Sequence, residues 1–202
     1  ILENGDVGKM SKEQRDCLKE IVVSNERMIQ LVNDLLMVSR IERGVSLVPE
    51  KHPVILQDIV QEVIKNLEHQ AKKQKVRIVY SSTARPVPLT IDRAKMTEAF
   101  LKIIKNALVY SEPSSLAHVN VSLGDDEVVI TVVDQGIGIL RKDQPHIFEK
   151  FFRSDEARLK EPEGNGLGLF IAKSYIEAHK GHVTFVSPWG KGTTFTISLP
   201  IV

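Results

Sequence analysis

Between Lys12 and Ile41 the apolar residues of this 202-residue chain recur at alternating steps of three and four. Leu18, Ile21, Met28, Val32 and Leu35 mark the seam, Asn25 and Ser39 fall in its register, and Val22, Ile29 and Leu36 widen it. A stripe of this period is the apolar face of a long helix. Ser11 with Gln14 three residues on reads as a capping box at its start. Gly44 closes it after Arg40-Ile41-Glu42-Arg43. Ahead of the cap, Gly5–Gly8 reads as a tight connection and Ile1-Leu2-Glu3 as the tail of an earlier helix. One helix cannot cover so broad a face. The seam therefore predicts partners, an earlier helix, a second copy of the chain or both, in a dimeric four-helix bundle, with packing on the following domain as the alternative.

After Pro49 and Pro53 the pattern changes, which sets the expected division at residues 1–48 and 49–202. Leu56 to Lys73 repeats as a helix, with Ile59, Val60, Val63, Ile64 and Leu67 on one face. Val76–Tyr80 alternates and is β-branched, and Pro86–Ile91 is a candidate strand. Helices are expected over 92–110 and 166–179. Hairpins are expected over 118–133 around Gly124-Asp125-Asp126, and over 183–199 around Pro188-Trp189-Gly190-Lys191-Gly192. Residues 140–165, polar and without a sustained period, read as a long mobile loop. The whole is a two-layer α/β (α+β) sandwich of helices on mostly antiparallel strands.

Composition narrows what such a sandwich can do. Lys and Arg number 27 against 26 Asp and Glu, so no broad phosphate-neutralising face is expected, and no nucleic-acid partner. The single cysteine, Cys17, forms no intrachain disulfide and fits a reducing, cytoplasmic compartment. No apolar run reaches about 18 residues, so membrane insertion is not expected. A chain starting at Ile1, with no leader-like segment, reads as an interior piece of a longer protein.

Three glycine-bearing segments and one helix carry the candidate chemistry. Asp134-Gln135-Gly136-Ile137-Gly138-Ile139 leaves a strand with glycines at alternate positions, which lets backbone approach a ligand where a Cβ would clash. Its carboxylate can accept a hydrogen bond from an exocyclic amine, though a plain strand-exit turn is an equal reading. Gly164-Asn165-Gly166-Leu167-Gly168-Leu169 opens a helix whose free N–H groups suit phosphate oxygens. Gly190-Lys191-Gly192-Thr193-Thr194 is either hairpin chemistry or a ligand wall. On the helix ending at Tyr110, Asn106 lies one turn beyond Lys102, and its amide oxygen is a suitable hard ligand for Mg²⁺.

In order, with Ile147-Phe148-Glu149-Lys150-Phe151-Phe152-Arg153 between the second and third boxes, these segments resemble the ATP-binding domain of two-component sensor histidine kinases. The resemblance covers about residues 50–202, and Leu35–Gly44 resembles the end of the second helix of that family's dimerisation and phosphotransfer domain. It implies a Bergerat-type ATP-binding fold, shared with gyrase, Hsp90-type chaperones and MutL proteins, with a left-handed βαβ unit and a lid at 140–165. Carried over, Asn106 would hold Mg²⁺, Asp134 the adenine amine, and Tyr110 would flank the nucleotide. Gly136, Gly138 and Ile139 would line the base pocket. Gly164, Gly166, Leu167, Gly168 and Leu169 would shape the phosphate end, with His146, Lys150 and Arg153 as cations. Thr193 or Thr194 would close the adenine side. Phe148, Phe151 and Phe152 would either anchor the lid or form a core cluster. The partners implied are ATP, a response-regulator receiver domain and a second copy of the chain.

Two residues depart from the family pattern. Lys102 stands where the family usually has Asn and related hydrolases a Glu base, so rapid ATP hydrolysis is not expected. Val109 stands where a Lys is frequent. Asn165, where Thr or Ser is usual, is a milder change. None of His52, His69, His118, His146, His179 or His182 has the acidic neighbour and following Thr-Pro of the family's phosphoacceptor. The acceptor is thus expected on an earlier helix, and this chain is not expected to phosphorylate itself or to act as the regulator's phosphatase. A degenerate, nucleotide-sensing interaction module is the alternative that Lys102 and Val109 favour.

Overall fold

The computed structural model describes residues 10–45, 47, 50–83 and 85–201; the Gly5–Gly8 connection, the Ile1–Glu3 helix tail and Pro49 lie outside them. The chain divides into two compact units, residues 1–44 and 45–202. In the first, α1 (Lys12–Glu42) is one uninterrupted helix. Its capping box is complete: Ser11 Oγ accepts from the Gln14 N–H at 3.3 Å, and Gln14 Oε1 accepts from the Ser11 N–H at 2.9 Å. Gly44, at φ +62°, follows the helix end. Ile21, Met28, Ile29, Val32, Leu35 and Leu36 are all exposed along α1.

The second unit runs β1 (His52–Ile55), α2 (Leu56–Gln74), β2 (Arg77–Ser82), β3 (Pro88–Ile91), α3 (Arg93–Tyr110), β4 (Leu116–Leu123), β5 (Glu127–Val133), α4 (Asp155–Lys160), α5 (Gly168–Ala178), β6 (His182–Val186) and β7 (Thr194–Pro200). Five strands form one sheet in the order β2-β4-β5-β7-β6, and β1 pairs separately with β3. Only β2–β4 is parallel; the other pairings are antiparallel. Alternation decides which face is covered. Ala117, Val119 and Val121, then Val128, Ile130 and Val132, then Phe195, Ile197 and Leu199 are buried. On this side α2, α3 and α5 supply Ile59, Val63, Phe100, Ile104, Ile171 and Ile176, all fully buried. The expected two-layer sandwich is thus formed, with its core between helices and sheet.

Two elements differ from the sequence expectation. The strand β1 was hidden by Pro53, which a sheet tolerates only at an edge; here it sits in a two-stranded edge ribbon. Residues 140–165 are not one long irregular loop. They contain a 3₁₀ turn at Gln144–His146 and the short helix α4. Six residues are too few to show a helical period, yet the end signals are there. Ser154 Oγ accepts from the Ala157 N–H at 3.2 Å, Asp155 and Glu156 occupy the first turn, and Arg158 and Lys160 the last.

His179 closes the helical layer. Its ring lies 2.7 Å from the Tyr175 carbonyl through Nδ1, and its Nε2 accepts from the Asp92 N–H at 3.0 Å, which requires the neutral ring. Burial holds its pKa below the usual histidine value.

Candidate functional site

Where β5 ends, Asp134 is 4% exposed. Its Oδ1 accepts from the Gly136 N–H at 2.9 Å and from the Thr193 N–H at 3.0 Å, while its own N–H donates to the Thr193 carbonyl at 2.9 Å. Burial pushes its pKa up to about 6, opposed by the Thr193 and Gly136 N–H groups and by the charge of Lys160. A carboxylate taken so far out of water is costly unless a donor completes it. Both of these hydrogen bonds fall on Oδ1.

The glycines beside Asp134 are fixed by contact with other chain segments. A Cβ on Gly136 would lie 2.2 Å from the Tyr110 carbonyl oxygen, and one on Gly192 would lie 2.0 Å from the Asp134 carbonyl oxygen. Gly192 is also left-handed, at φ +80°. These close approaches join three segments. The Ile137 N–H donates to the Tyr110 carbonyl at 3.3 Å, and the Gly190 N–H donates to the Ile137 carbonyl at 2.8 Å. Gly138, itself left-handed, backs onto Pro188. Gln144, with nothing in its local pattern to single it out, ties the same walls from the side. Its Nε2 donates to the carbonyls of Ile139 at 3.0 Å and Ser187 at 2.8 Å. Of the two threonines, it is Thr193 that meets Asp134; its Oγ1 lies 2.8 Å from Ser187 Oγ. Thr194 is the first residue of β7, in register with Val133 and Val186.

The end of α3 forms another wall. Asn106, half-buried, stands one turn before Tyr110. Tyr110 has its pKa raised by burial, with Arg153 opposing that shift and Glu161 adding to it. Lys102, one turn below Asn106, has a side chain only 11% exposed, its Nζ 3.5 Å from Glu98 Oε1. Glu98 Oε2 in turn accepts from the Tyr175 hydroxyl at 3.1 Å. Among the described residues no group of three or more His, Cys, Asp or Glu is placed to hold a metal ion.

Residues 151–168 make the remaining side. Arg153 is the centre of this segment, donating to the carbonyls of Ala157 (2.8 Å), Pro162 (3.2 Å), Gly164 (2.7 Å) and Glu161. A Cβ on Gly166 (φ +70°) would meet the Phe151 backbone at 2.7 Å, and Phe151 is itself left-handed. Leu167 is buried and precedes the α5 N-terminus, while Leu169 is half-buried in its first turn. The Cβ position of Gly168 lies 4.0 Å from the Lys102 Cβ. His146 pairs with Glu149 at 2.9 Å and its ring lies 5.4 Å from that of Phe152; Lys150 stands 5.8 Å over the Phe170 ring. Of the three phenylalanines, Phe148 joins a cluster with Phe185 and Phe195, and Phe151 is exposed.

A sandwich with one glycine-walled buried carboxylate, an Asn one turn above a half-buried lysine, and a capped segment beside both defines a class. Residues 91–202 match the family described as histidine kinase-, DNA gyrase B-, and HSP90-like ATPase, and the chain belongs to it. Within that family it is a histidine-kinase-type ATPase catalytic domain homologous to sensor kinases. It is 37% identical to sensor histidine kinase WalK of Bacillus subtilis over 87% of this chain and 29% of that protein. It is 31% identical to the sensor-like histidine kinase SenX3 of Mycobacterium tuberculosis over 94% of this chain and 46% of that one. The chain thus spans less than half the length of these relatives. In fold it is similar to full-length ShkA solved in complex with AMPPNP (TM-score 0.81, 23% identity, 98% of this chain and 41% of that one). It is also similar to the histidine kinase AdeS of Acinetobacter baumannii (TM-score 0.75, 23% identity, 97% and 88%). Among the described residues no helix is long and apolar enough to cross a membrane.

Proposed function

We propose that the 45–202 unit binds ATP with Mg²⁺ and presents the γ-phosphoryl group to a histidine of a helical bundle, for relay to a response-regulator aspartate. The observation that carries this reading is Asp134, a buried carboxylate held at Oδ1 by two backbone donors. It accepts the adenine amine, and Gly136, Gly138, Ile139 and Thr193 wall the base. Tyr110 flanks the nucleotide. Gly164, Gly166 and the α5 N-terminus face the phosphates, with Leu167 and Leu169 holding that turn and His146, Lys150 and Arg153 as nearby cations.

Asn106 fits a Mg²⁺ site, since this hard cation keeps several waters and takes few protein ligands, the phosphates supplying the rest. When bound, the ion neutralises charge on the phosphates. The protein's own share of catalysis is positioning and charge complementarity. Lys102, held at Glu98, offers no carboxylate to activate water, so transfer to a histidine is favoured over hydrolysis. The exposed apolar stripe of α1 serves a second copy of the chain. None of the comparisons supports the alternative of a degenerate interaction module.

The test supplies γ-³²P-ATP, Mg²⁺ and a separately made acceptor helix carrying the histidine. Label on the helix, lost with Asp134→Asn, is expected. No label on the helix despite saturable ATP binding contradicts the transfer step.

A further inference from the structure

We infer that the Glu112–Lys160 ion pair is a latch across the nucleotide site, and that these two residues set how fast a nucleotide enters and leaves. The inference rests on the nucleotide-site reading above and concerns residues to which that reading gives no part.

Glu112 is a fixed post. It follows Tyr110 and Ser111 at the end of α3, where Ser111 bridges to Gly136 and the Glu112 N–H donates to the Gln135 carbonyl at 3.3 Å. Glu112 is therefore anchored to the loop that carries Asp134. Lys160 belongs to a separate piece. It is the last residue of α4, and Arg153 binds the carbonyls of Ala157 and Glu161 on either side of it. The two pieces meet where Lys160 Nζ lies 2.9 Å from Glu112 Oε1. The Lys160 side chain is 26% exposed and that of Glu112 59%.

The position of this contact gives it a consequence. Lys160 is close enough for its charge to act on Asp134, and Arg153 and Glu161 act on Tyr110. The α4 segment thus stands beside both the amine-accepting carboxylate and the nucleotide-flanking tyrosine. Holding α4 to Glu112 keeps that side of the site shut, and releasing it opens a path; neither Glu112 nor Lys160 is itself among the residues given a ligand contact. A half-exposed pair of this kind is weak and is screened by salt, as a latch that opens on every cycle must be.

The experiment is stopped-flow binding of a fluorescent ATP analogue with Mg²⁺ to the full chain. Lys160→Ala and Glu112→Gln are expected to raise both association and dissociation rates by about two- to fivefold, leaving Kd almost unchanged. Lys160→Arg is expected to keep the wild-type rates, and added salt to speed the wild type more than Lys160→Ala. Wild-type rates in both single variants, or fast rates in Lys160→Arg, would overturn the latch. Amide hydrogen exchange over residues 153–164 without nucleotide separates this from the functional reading. Faster exchange in Lys160→Ala supports the latch and unchanged exchange overturns it, whereas failure of the wild type to bind the analogue counts against the nucleotide site itself.

Discussion

Asp134 shows how one buried group couples folding to ligand. Its carboxyl, raised from 3.8 to about 6, keeps a proton in the folded chain that the unfolded chain has already lost across that interval. Its contribution to stability therefore falls as pH rises from about 4 to about 6, and is constant above. On the proposed reading nucleotide binding runs the other way, because an adenine amine bonded to Asp134 needs the ionised acceptor. Affinity for an ATP analogue is expected to weaken as pH drops through about 6, and Asp134→Asn to flatten that profile. His179 has the opposite sign from Asp134 in stability. Its pKa is lowered, so its contribution is lost as pH falls from 6.5 through the lowered value. Gly192→Ala is expected to cost about 2–3 kcal/mol, from left-handed strain and the Asp134 carbonyl. In a thermal melt that is a fall of about 4–12 °C. An unchanged Tm would mean that the Gly192 turn is not packed as described.

The elements were unequally legible. The α1 seam, its Ser11 cap and the β4–β5 hairpin follow from period and turn chemistry, because each is long enough to repeat. Strand β1 and helix α4 do not, being four and six residues with their signals in single residues. The glycines at 136 and 138 were readable as close approaches to a ligand and Gly192 as part of a turn or ligand wall, but the chain segments they meet were not. That Gly136 faces Tyr110 and Gly192 faces Asp134 depends on strand order, which no local pattern carries. The same reason hid Glu112, Lys160 and Gln144, each ordinary until the sheet brings its partner near. For α1, Ile29→Asp places a charge in the exposed seam. Sedimentation is expected to show a dimeric wild type and a monomeric variant with unchanged ATP affinity. A monomeric wild type would remove the bundle reading.

Across the ATP-binding unit, the strand exit, the α3 end and the 188–193 turn are locked together by backbone hydrogen bonds, so the surroundings of Asp134 are built largely from main chain. On the proposed reading a chain of near-zero net charge serves an anionic ligand through Mg²⁺ at Asn106, helix N–H groups and a few cations, without a basic face. Asn106→Ala is accordingly expected to leave adenine recognition in place and to remove most of the Mg²⁺-dependent gain in ATP affinity, read by titration with and without the ion. The most direct test of the whole assignment is a calorimetric titration of ATP and GTP, each with Mg²⁺, into the wild type and Asp134→Asn. The proposed role of Asp134 as acceptor of the adenine amine, which guanine replaces by a carbonyl, predicts that ATP binds saturably and GTP does not. The substitution should weaken ATP by roughly 10- to 100-fold. Equal binding of ATP and GTP, or an Asp134→Asn protein that binds ATP as the wild type does, would contradict it.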